Sequence, residues 1–359
     1  MKQVLIRPSW EPWLENRMFS GAEGCVYTSA FALWKARAAE AGFQLDTWDK
    51  LPIADADCVW IMDLPGRKSQ FEEAGKKARP GVPFVLQVLE SPVVTPQSFV
   101  EKNRRNFDAV VSYEPGLDER RKQFSYYLPN NAQVTAVEVP FAQRRCAVMV
   151  NSNRVEGLFA MRQPGIEGLP GIGRYLSGWE LPLFRATNGE LYSWRRSLAR
   201  ASDEFTPPVV DVFGPGWKGE QISWNPLYPN RPFRCAVNGQ RREGKHQLVS
   251  QYRFGIGVEN FRGNLGYISE KIFDVLLAGS VPVYLGEERI TGYVPKSAFV
   301  DAREFRNQKE LLLYLRSCSQ MEWEAMREAG REYLQSKAFH QFSDEAFAAR
   351  MVDVLRKLL

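Results

Sequence analysis

Residues 259–286 read ENFRGNLGYISEKIFDVLLAGSVPVYLG, a loop, a capped helix start and a buried strand in close succession. Ser269 is a favourable helix N-cap, and Ile272, Phe273, Leu276 and Leu277 recur at helical spacing until Ala278-Gly279 stops the run. The spacing predicts a helix that begins near Glu270. Its first-turn N–H groups and positive dipole end favour an anion, and Lys271 adds a full positive charge at the same place. A phosphate is the natural guest. Ser280 to Gly286, SVPVYLG, is a short apolar run bounded by glycine, the pattern of a strand buried on both faces of a parallel sheet. Pro282 then belongs near the strand's start or at an unpaired position. Taken alone, Glu270-Lys271 reads as a solvated pair on a first turn, as most charged residues are exposed. Its context argues otherwise. Phe254 to Asn260, FGIGVEN, is a second short apolar run ending in Glu259 and Asn260, so two strand ends and a helix start converge on one crevice, where α/β folds bind ligands.

On either side of this stretch, short apolar segments alternate with helical ones. Gln3 to Ile6, Cys58 to Met62, Pro83 to Val88 and Phe107 to Val111 read as strands and Ala30 to Ala41 as a helix, the α/β pattern. A chain of 359 residues is too long for one ordinary core, which predicts two domains. Their connection is expected between Tyr126 and Ala147, where the turn residues Pro129-Asn-Asn-Ala precede a new strand from Cys146 to Val150. The expected division is residues 1–143, residues 144–340 and a terminal helix over 341–359. In that helix Phe347, Met351, Val354, Leu355 and Leu358 form one apolar stripe, which reads as packing on the protein's own domains. Arg350, Arg356 and Lys357 are too few on the opposite face for a strong membrane-surface helix.

Composition excludes several functions. Charged residues at 25% and hydrophobic ones at 44% are ordinary for a soluble globular protein. The net charge of +5 is mild, compatible with a nucleotide diphosphate or peripheral contact with an anionic surface, but without the basic stripe of a nucleic-acid binder. Five widely spaced cysteines, at 25, 58, 146, 235 and 318, with an odd count and no CxxC pair, argue for reduced thiols. His246 and His340 are too few and isolated for a His-based zinc site or a Ser-His-Asp triad. The start MKQVLIRPSWEPW encodes no signal peptide and no window approaches a membrane span, so a cytoplasmic protein is expected. Trp10, Trp13 and Trp179 invite a sugar-stacking role, although packing is the commoner use of each.

The ordered string FGIGVEN, GYISEK, AGSVPVYLG resembles the donor-binding signature of the α1,3/4-fucosyltransferases, glycosyltransferase family 10. Three more segments agree: Leu89-Glu90-Ser91-Pro92 with Thr95-Pro96-Gln97, Asn151-Ser-Asn153, and Leu191-Tyr-Ser-Trp-Arg195 with Asp211-Val-Phe-Gly214 after it. The resemblance spans roughly residues 85 to 345. It implies a GT-B architecture, two Rossmann-like domains facing each other across a cleft. It also implies an inverting transfer of L-fucose from GDP-fucose to a sugar hydroxyl, with the 3-OH of a GlcNAc- or Glc-type residue of an oligosaccharide or glycolipid as the expected acceptor.

Carried over motif by motif, the resemblance makes Glu90 the general base that removes the acceptor hydroxyl proton. Lys271 and Arg195 would hold the diphosphate, Lys271 as a point charge and Arg195 through its planar fork. Such preorganised cations stabilise the charge that grows on the leaving diphosphate, so no metal or other cofactor is required on this reading. Glu270 would accept hydrogen bonds from ribose or fucose hydroxyls, Asn260 and Tyr267 would position the donor, and Asn151 or Asn153 would sit near the phosphates. The family's usual link between Asn153 and Arg195 is shorter than the Gly/Pro-bearing segment found here, which leaves the neighbouring Arg196 open for the diphosphate role. Without an encoded anchor the chain resembles the bacterial-type members, acting on a surface glycan such as lipopolysaccharide O-antigen. A transferase of another nucleotide sugar and a non-catalytic glycan- or nucleotide-binding relative are the alternatives.

Overall fold

The computed structural model describes residues 1–21, 27–64, 75–130, 138–154, 189–219, 232–237 and 244–359. Cys25, Trp179 and most of the Gly/Pro-bearing segment after Asn153 lie outside the described residues. The first lobe is built on a sheet of β1 (Lys2–Arg7), β2 (Phe43–Thr47), β3 (Cys58–Met62), β4 (Phe84–Gln87), β5 (Ala109–Ser112) and β6 (Gln123–Ser125), with helix α1 (Thr28–Glu40) between β1 and β2. The second carries β7 (Arg145–Val150), α2 (Tyr192–Asp203), β8 (Val210–Phe213), α3 (Lys245–Val249), β9 (Tyr252–Ile256), α4 (Glu270–Leu277), β10 (Val281–Tyr284) and β11 (Val300–Asp301). Helices α5 (Gln308–Ser317), α6 (Gln320–Leu334) and α7 (Asp344–Leu358) complete the chain.

Every strand pair in both sheets is parallel. Parallel neighbours need crossovers that cover the sheet faces, which is why β3 and β10 are buried along their whole length. The strand orders are β2-β1-β3-β4-β5-β6 and β11-β10-β9-β7-β8. Each order therefore reverses once, between β1 and β3 in the first lobe and between β7 and β9 in the second. Ligand crevices of doubly wound sheets form outside the carboxyl ends of the strands at such a reversal.

The local reading of the sequence is met closely around this crevice. Helix α4 starts at Glu270, with the Ser269 hydroxyl accepting the Lys271 N–H, and buries Ile272, Phe273, Val275, Leu276 and Leu277. Pro282 is the second residue of β10, opposite Gly255 of β9, so it does sit next to the strand's start. The apolar run at Phe254 ends as a strand at Ile256, and Val258 to Asn260 leave the sheet as a loop.

Two apolar interiors lie on either side of the cleft. One joins Val4, Ile6, Phe31, Trp34, Trp60 and Val85 with Phe347, Met351, Val354 and Leu355 of α7. The terminal helix is thus part of the first lobe's core although it follows the second lobe in sequence. Its charged face is tied to the same lobe, where Glu119 accepts hydrogen bonds from Arg350 and Lys357. The second interior gathers Ala147, Met149, Leu198, Val210, Phe254, Val281 and Trp323. Cys58, Cys146, Cys235 and Cys318 are free thiols.

Candidate active site

A cavity of about 260 Å³ opens between the carboxyl ends of the two sheets. Its first-lobe wall is made by Ser9, Trp13, Tyr27, Leu89 and Glu90, and its second-lobe wall by Asn151, Ser152, Arg154, Tyr192, Arg195, Asn260, Tyr267, Glu270 and Lys271. Ser9 follows β1, Glu90 follows β4, Asn151 follows β7 and Asn260 follows β9, so the strand reversals of both lobes face one another across the opening.

The cationic wall is held by buried partners. Glu259 has no exposed surface; its carboxylate accepts from the Ser269 N–H at 2.8 Å and the Ser269 hydroxyl at 2.7 Å. Lys271 Nζ reaches the same carboxylate at 3.3 Å and donates to Ser269 Oγ at 2.9 Å. Glu259 is able to pack there because Gly286 leaves room: a Cβ on Gly286 would lie 2.4 Å from Glu259 Cγ. Arg195 is 2% exposed and is oriented from β9's exit loop, its Nη2 donating to Val258 O at 2.6 Å and Asn260 Oδ1 at 3.0 Å. Its Nε makes no hydrogen bond, so the guanidinium keeps donor capacity on a fixed fork. Arg196 on the same helix turns instead to the Arg154 carbonyl.

Opposite stands Glu90. Burial raises its carboxyl above the ordinary value, with Lys271 and Arg154 acting in the other direction. A carboxylate made more basic in this way is better suited to take a proton from a hydroxyl. Burial also acts on the other wall. It lowers the Arg195 guanidinium from its ordinary value, while Lys271, despite the desolvation that would lower it, is held above its ordinary value by Glu270 and Glu259. Glu270 is desolvated too, yet Lys271 and Lys245 keep it below the ordinary range, so it is an acceptor-only group facing the cavity.

The structure brings seven of the eight residues singled out from the sequence to one cavity: Glu90, Asn151, Arg195, Asn260, Tyr267, Glu270 and Lys271. Asn153 is not among them. Its side-chain nitrogen donates to Gly216 O at 2.8 Å and its N–H to Pro215 O at 2.9 Å, so it shapes the turn beyond β7. Asn151 is pinned from behind, its carbonyl accepting from Trp217 Nε1 at 2.6 Å and lying where any Cβ on Gly214 would clash at 2.4 Å. Tyr267 is 4% exposed and packs its ring 5.1 Å from that of Tyr113, which carries it into the first lobe's core.

Ser9, Tyr27 and Arg154 on the walls, and Glu259 behind them, were not expected as site residues. Tyr27 comes from the start of α1, with φ of 69°, and its hydroxyl lies 3.5 Å from Glu270 Oε2 across the cleft. A bulky residue held at positive φ is uncommon and marks a position fixed by its surroundings. Trp13 packs edge-on against Phe31 and also lines the cavity; Trp10 is 42% exposed beside it. His246 bonds Asp274 of α4 at 3.0 Å, outside the cavity wall.

Two parallel-sheet lobes facing across a cleft define a GT-B protein. Over nearly its full length the chain superposes on such folds: a crystal structure of α1,3-fucosyltransferase (TM-score 0.55, 14% identity, 99% of this chain and 90% of that one). The phage DNA-modifying β-glucosyltransferase superposes equally well (TM-score 0.54, 12% identity, 98% of this chain and 100% of that one). At such identities the likeness establishes the fold. Residues 209–352 match the family model described as glycosyltransferase family 10 (fucosyltransferase), C-terminal. The matched span contains Asn260, Tyr267, Glu270 and Lys271 but not Glu90, Asn151 or Arg195.

Individual relatives agree. An α-(1,4)-fucosyltransferase of Arabidopsis thaliana is 31% identical over 90 residues, 25% of this chain and 22% of that protein. The α-(1,3)-fucosyltransferase FucT of Helicobacter pylori is 31% identical over 78 residues, 22% of this chain and 16% of that protein. The α-(1,3)-fucosyltransferase 7 of Rattus norvegicus is 33% identical over 130 residues, 35% of this chain and 30% of that protein. The chain thus spans less than a third of the length of each of these relatives.

Proposed function

We propose that the protein transfers L-fucose from GDP-fucose to a hydroxyl of an oligosaccharide or glycolipid acceptor, with inversion at the anomeric carbon. The observation that carries this reading is that a basic-shifted carboxylate of one lobe, Glu90, lines the same cavity as Arg195 and Lys271 of the other. Arg195 and Lys271 hold the diphosphate, Asn260 and Tyr267 position the donor, and Glu270 accepts from its hydroxyls. Asn151 sits at the mouth of β7 where it reaches the phosphates.

In the reaction the acceptor hydroxyl gives its proton to the Glu90 carboxylate while its oxygen bonds to the anomeric carbon. The bond from that carbon to the diphosphate oxygen breaks, and the electron pair leaves on GDP. Arg195 and Lys271 stabilise this growing charge more than they stabilise the bound donor, which is how they lower the barrier. A donor buried between two lobes is also shielded from water, which favours transfer over hydrolysis.

The 3-OH of a GlcNAc- or Glc-type residue in a bacterial surface glycan is the proposed acceptor, reached in the cytoplasm. Among the described residues no helix is long and apolar enough to cross a membrane. The test is incubation with a panel of nucleotide sugars and a glycan array, with released nucleotide and labelled product measured. GDP-fucose is expected to be the preferred donor. Preference for another nucleotide sugar overturns the donor, and GDP binding without transfer or hydrolysis overturns the enzymatic reading.

A further inference from the structure

Asp63 lies just past the end of β3, is 2% exposed, and is not part of the cavity wall. Its backbone is held at φ of 49°, a left-handed conformation that a non-glycine residue keeps only when its surroundings dictate it. Its N–H donates to Gln87 O at 2.7 Å, which ties it to the last residue of β4. What it does next is unusual for a buried carboxylate. One oxygen, Oδ1, accepts from the Leu89 N–H at 3.0 Å, from the Glu90 N–H at 3.2 Å and from the Thr95 hydroxyl at 3.3 Å. The other oxygen, Oδ2, is buried with no hydrogen-bond partner. The far side of the same turn is fixed by Tyr113, whose hydroxyl donates to the Glu90 carbonyl at 2.9 Å, and by Tyr126, which donates to Val88 O at 2.6 Å.

We infer that Asp63 is the positioning residue for Glu90: by gathering the N–H groups of Leu89 and Glu90 onto one oxygen it sets where the base carboxylate stands in the cleft. The inference rests on the proposed transferase function, because it assigns a role toward that base. Packing alone does not account for a carboxylate here, since burying one costs several kcal/mol before its hydrogen bonds are counted. Geometry of this kind matters to turnover, because a displacement of about 1 Å in a reacting group costs on the order of 100-fold in rate.

The groups facing Asp63 make its charge part of the same arrangement. Glu90 lies beside it from the β4 exit, Tyr113 and Tyr126 from the ends of β5 and β6, and Arg7 from the end of β1. Burial, with Glu90 as the next contributor, pushes the Asp63 carboxyl up to about 7. Loss of the Asp63 proton near neutrality strengthens the acceptor at Oδ1 and raises the basicity of its neighbour Glu90.

The experiment measures GDP-fucose transfer by the full chain, as kcat and donor KM from pH 5 to pH 9, for the wild type, D63N and D63A. An alanine loses all three acceptor bonds, so D63A is expected to lower kcat by about 100-fold with donor KM within about threefold. An asparagine keeps an acceptor oxygen, so at pH 6 D63N is expected to recover at least tenfold over D63A. The wild-type kcat profile is expected to show a step near pH 7 that D63N lacks. Full turnover in D63A, or superimposable pH profiles for D63N and the wild type, would overturn the assignment. Should D63A fail to fold, the D63N profile alone decides. Absence of transfer by the wild type itself would instead strike the proposed function, so the two failures are distinct.

Discussion

Lys271 Nζ stands 3.3 Å from Oε2 of Glu259, a carboxylate with no exposed surface at all. The lysine that faces the cavity is thus the outer member of a buried ion pair, and its position is set from inside the protein. Removing one member of such a pair leaves the other charge without compensation, which costs more than the pair itself contributes. Glu259→Gln is therefore expected to destabilise the protein by roughly 2–4 kcal/mol, read as a fall in Tm of several degrees in thermal unfolding. An unchanged Tm would show that Lys271 does not depend on Glu259.

The two cations of the second lobe should act on the nucleotide directly. Charge-assisted hydrogen bonds contribute about 1.5–3 kcal/mol each, so Lys271→Ala and Arg195→Ala are each expected to weaken GDP binding roughly 10- to 100-fold in calorimetric titration. Arg196→Ala should weaken it less, because the Arg196 guanidinium is engaged with the Arg154 carbonyl. Equal losses for Arg195 and Arg196 would reassign the fork.

Glu90 separates chemistry from binding. Glu90→Gln is expected to lower kcat by about 10²- to 10⁴-fold while the GDP Kd stays within about threefold. The base must be ionised to act, and burial raises its carboxyl above the ordinary range. The sign follows: turnover is full on the alkaline side and falls as pH drops, with the acid limb at a higher pH than an ordinary glutamate would give. A pH–rate profile of kcat/KM checks this, and a flat profile down to pH 4 would contradict it.

What the sequence disclosed depended on how local the signal was. Ser269 and the spacing of Ile272, Phe273, Leu276 and Leu277 fixed the start of α4, because a cap and an apolar face are written within one turn. The run Cys58 to Met62 was readable as β3 because a strand buried on both faces is continuously apolar. By contrast β2, FQLDT, lies at the sheet edge with Gln44 exposed and Asp46 bonded by Lys35, so its polarity hid it.

Of the unexpected residues, Arg154 and Glu259 adjoin the motif residues Asn153 and Asn260, whereas nothing near Tyr27 in sequence points to the cavity. Tyr27 meets Glu270 across 243 positions, a contact created only when the lobes come together. Glu259 and Asp63 act from beneath the surface by hydrogen bonding, and an isolated acid carries no mark of the burial that gives it this use. Asn153 lies off the cavity wall, since a short polar residue after a strand serves a turn as readily as a ligand, and here its amide closes onto Gly216.

Metal dependence follows from the cationic wall. Because Lys271 and Arg195 are fixed on the wall proposed to hold the diphosphate, a substantial part of the transfer activity is expected to survive excess EDTA, measured as nucleotide release. Complete loss, restored by adding back a divalent cation, would show that these side chains are not sufficient.

The most direct measurement is a crystal structure of the protein with GDP bound. The account predicts diphosphate oxygens within about 3 Å of both Lys271 Nζ and the Arg195 guanidinium, with the Glu90 carboxylate facing the open space beyond them. A nucleotide seated away from Lys271, or Glu90 turned out of the cleft, would contradict it.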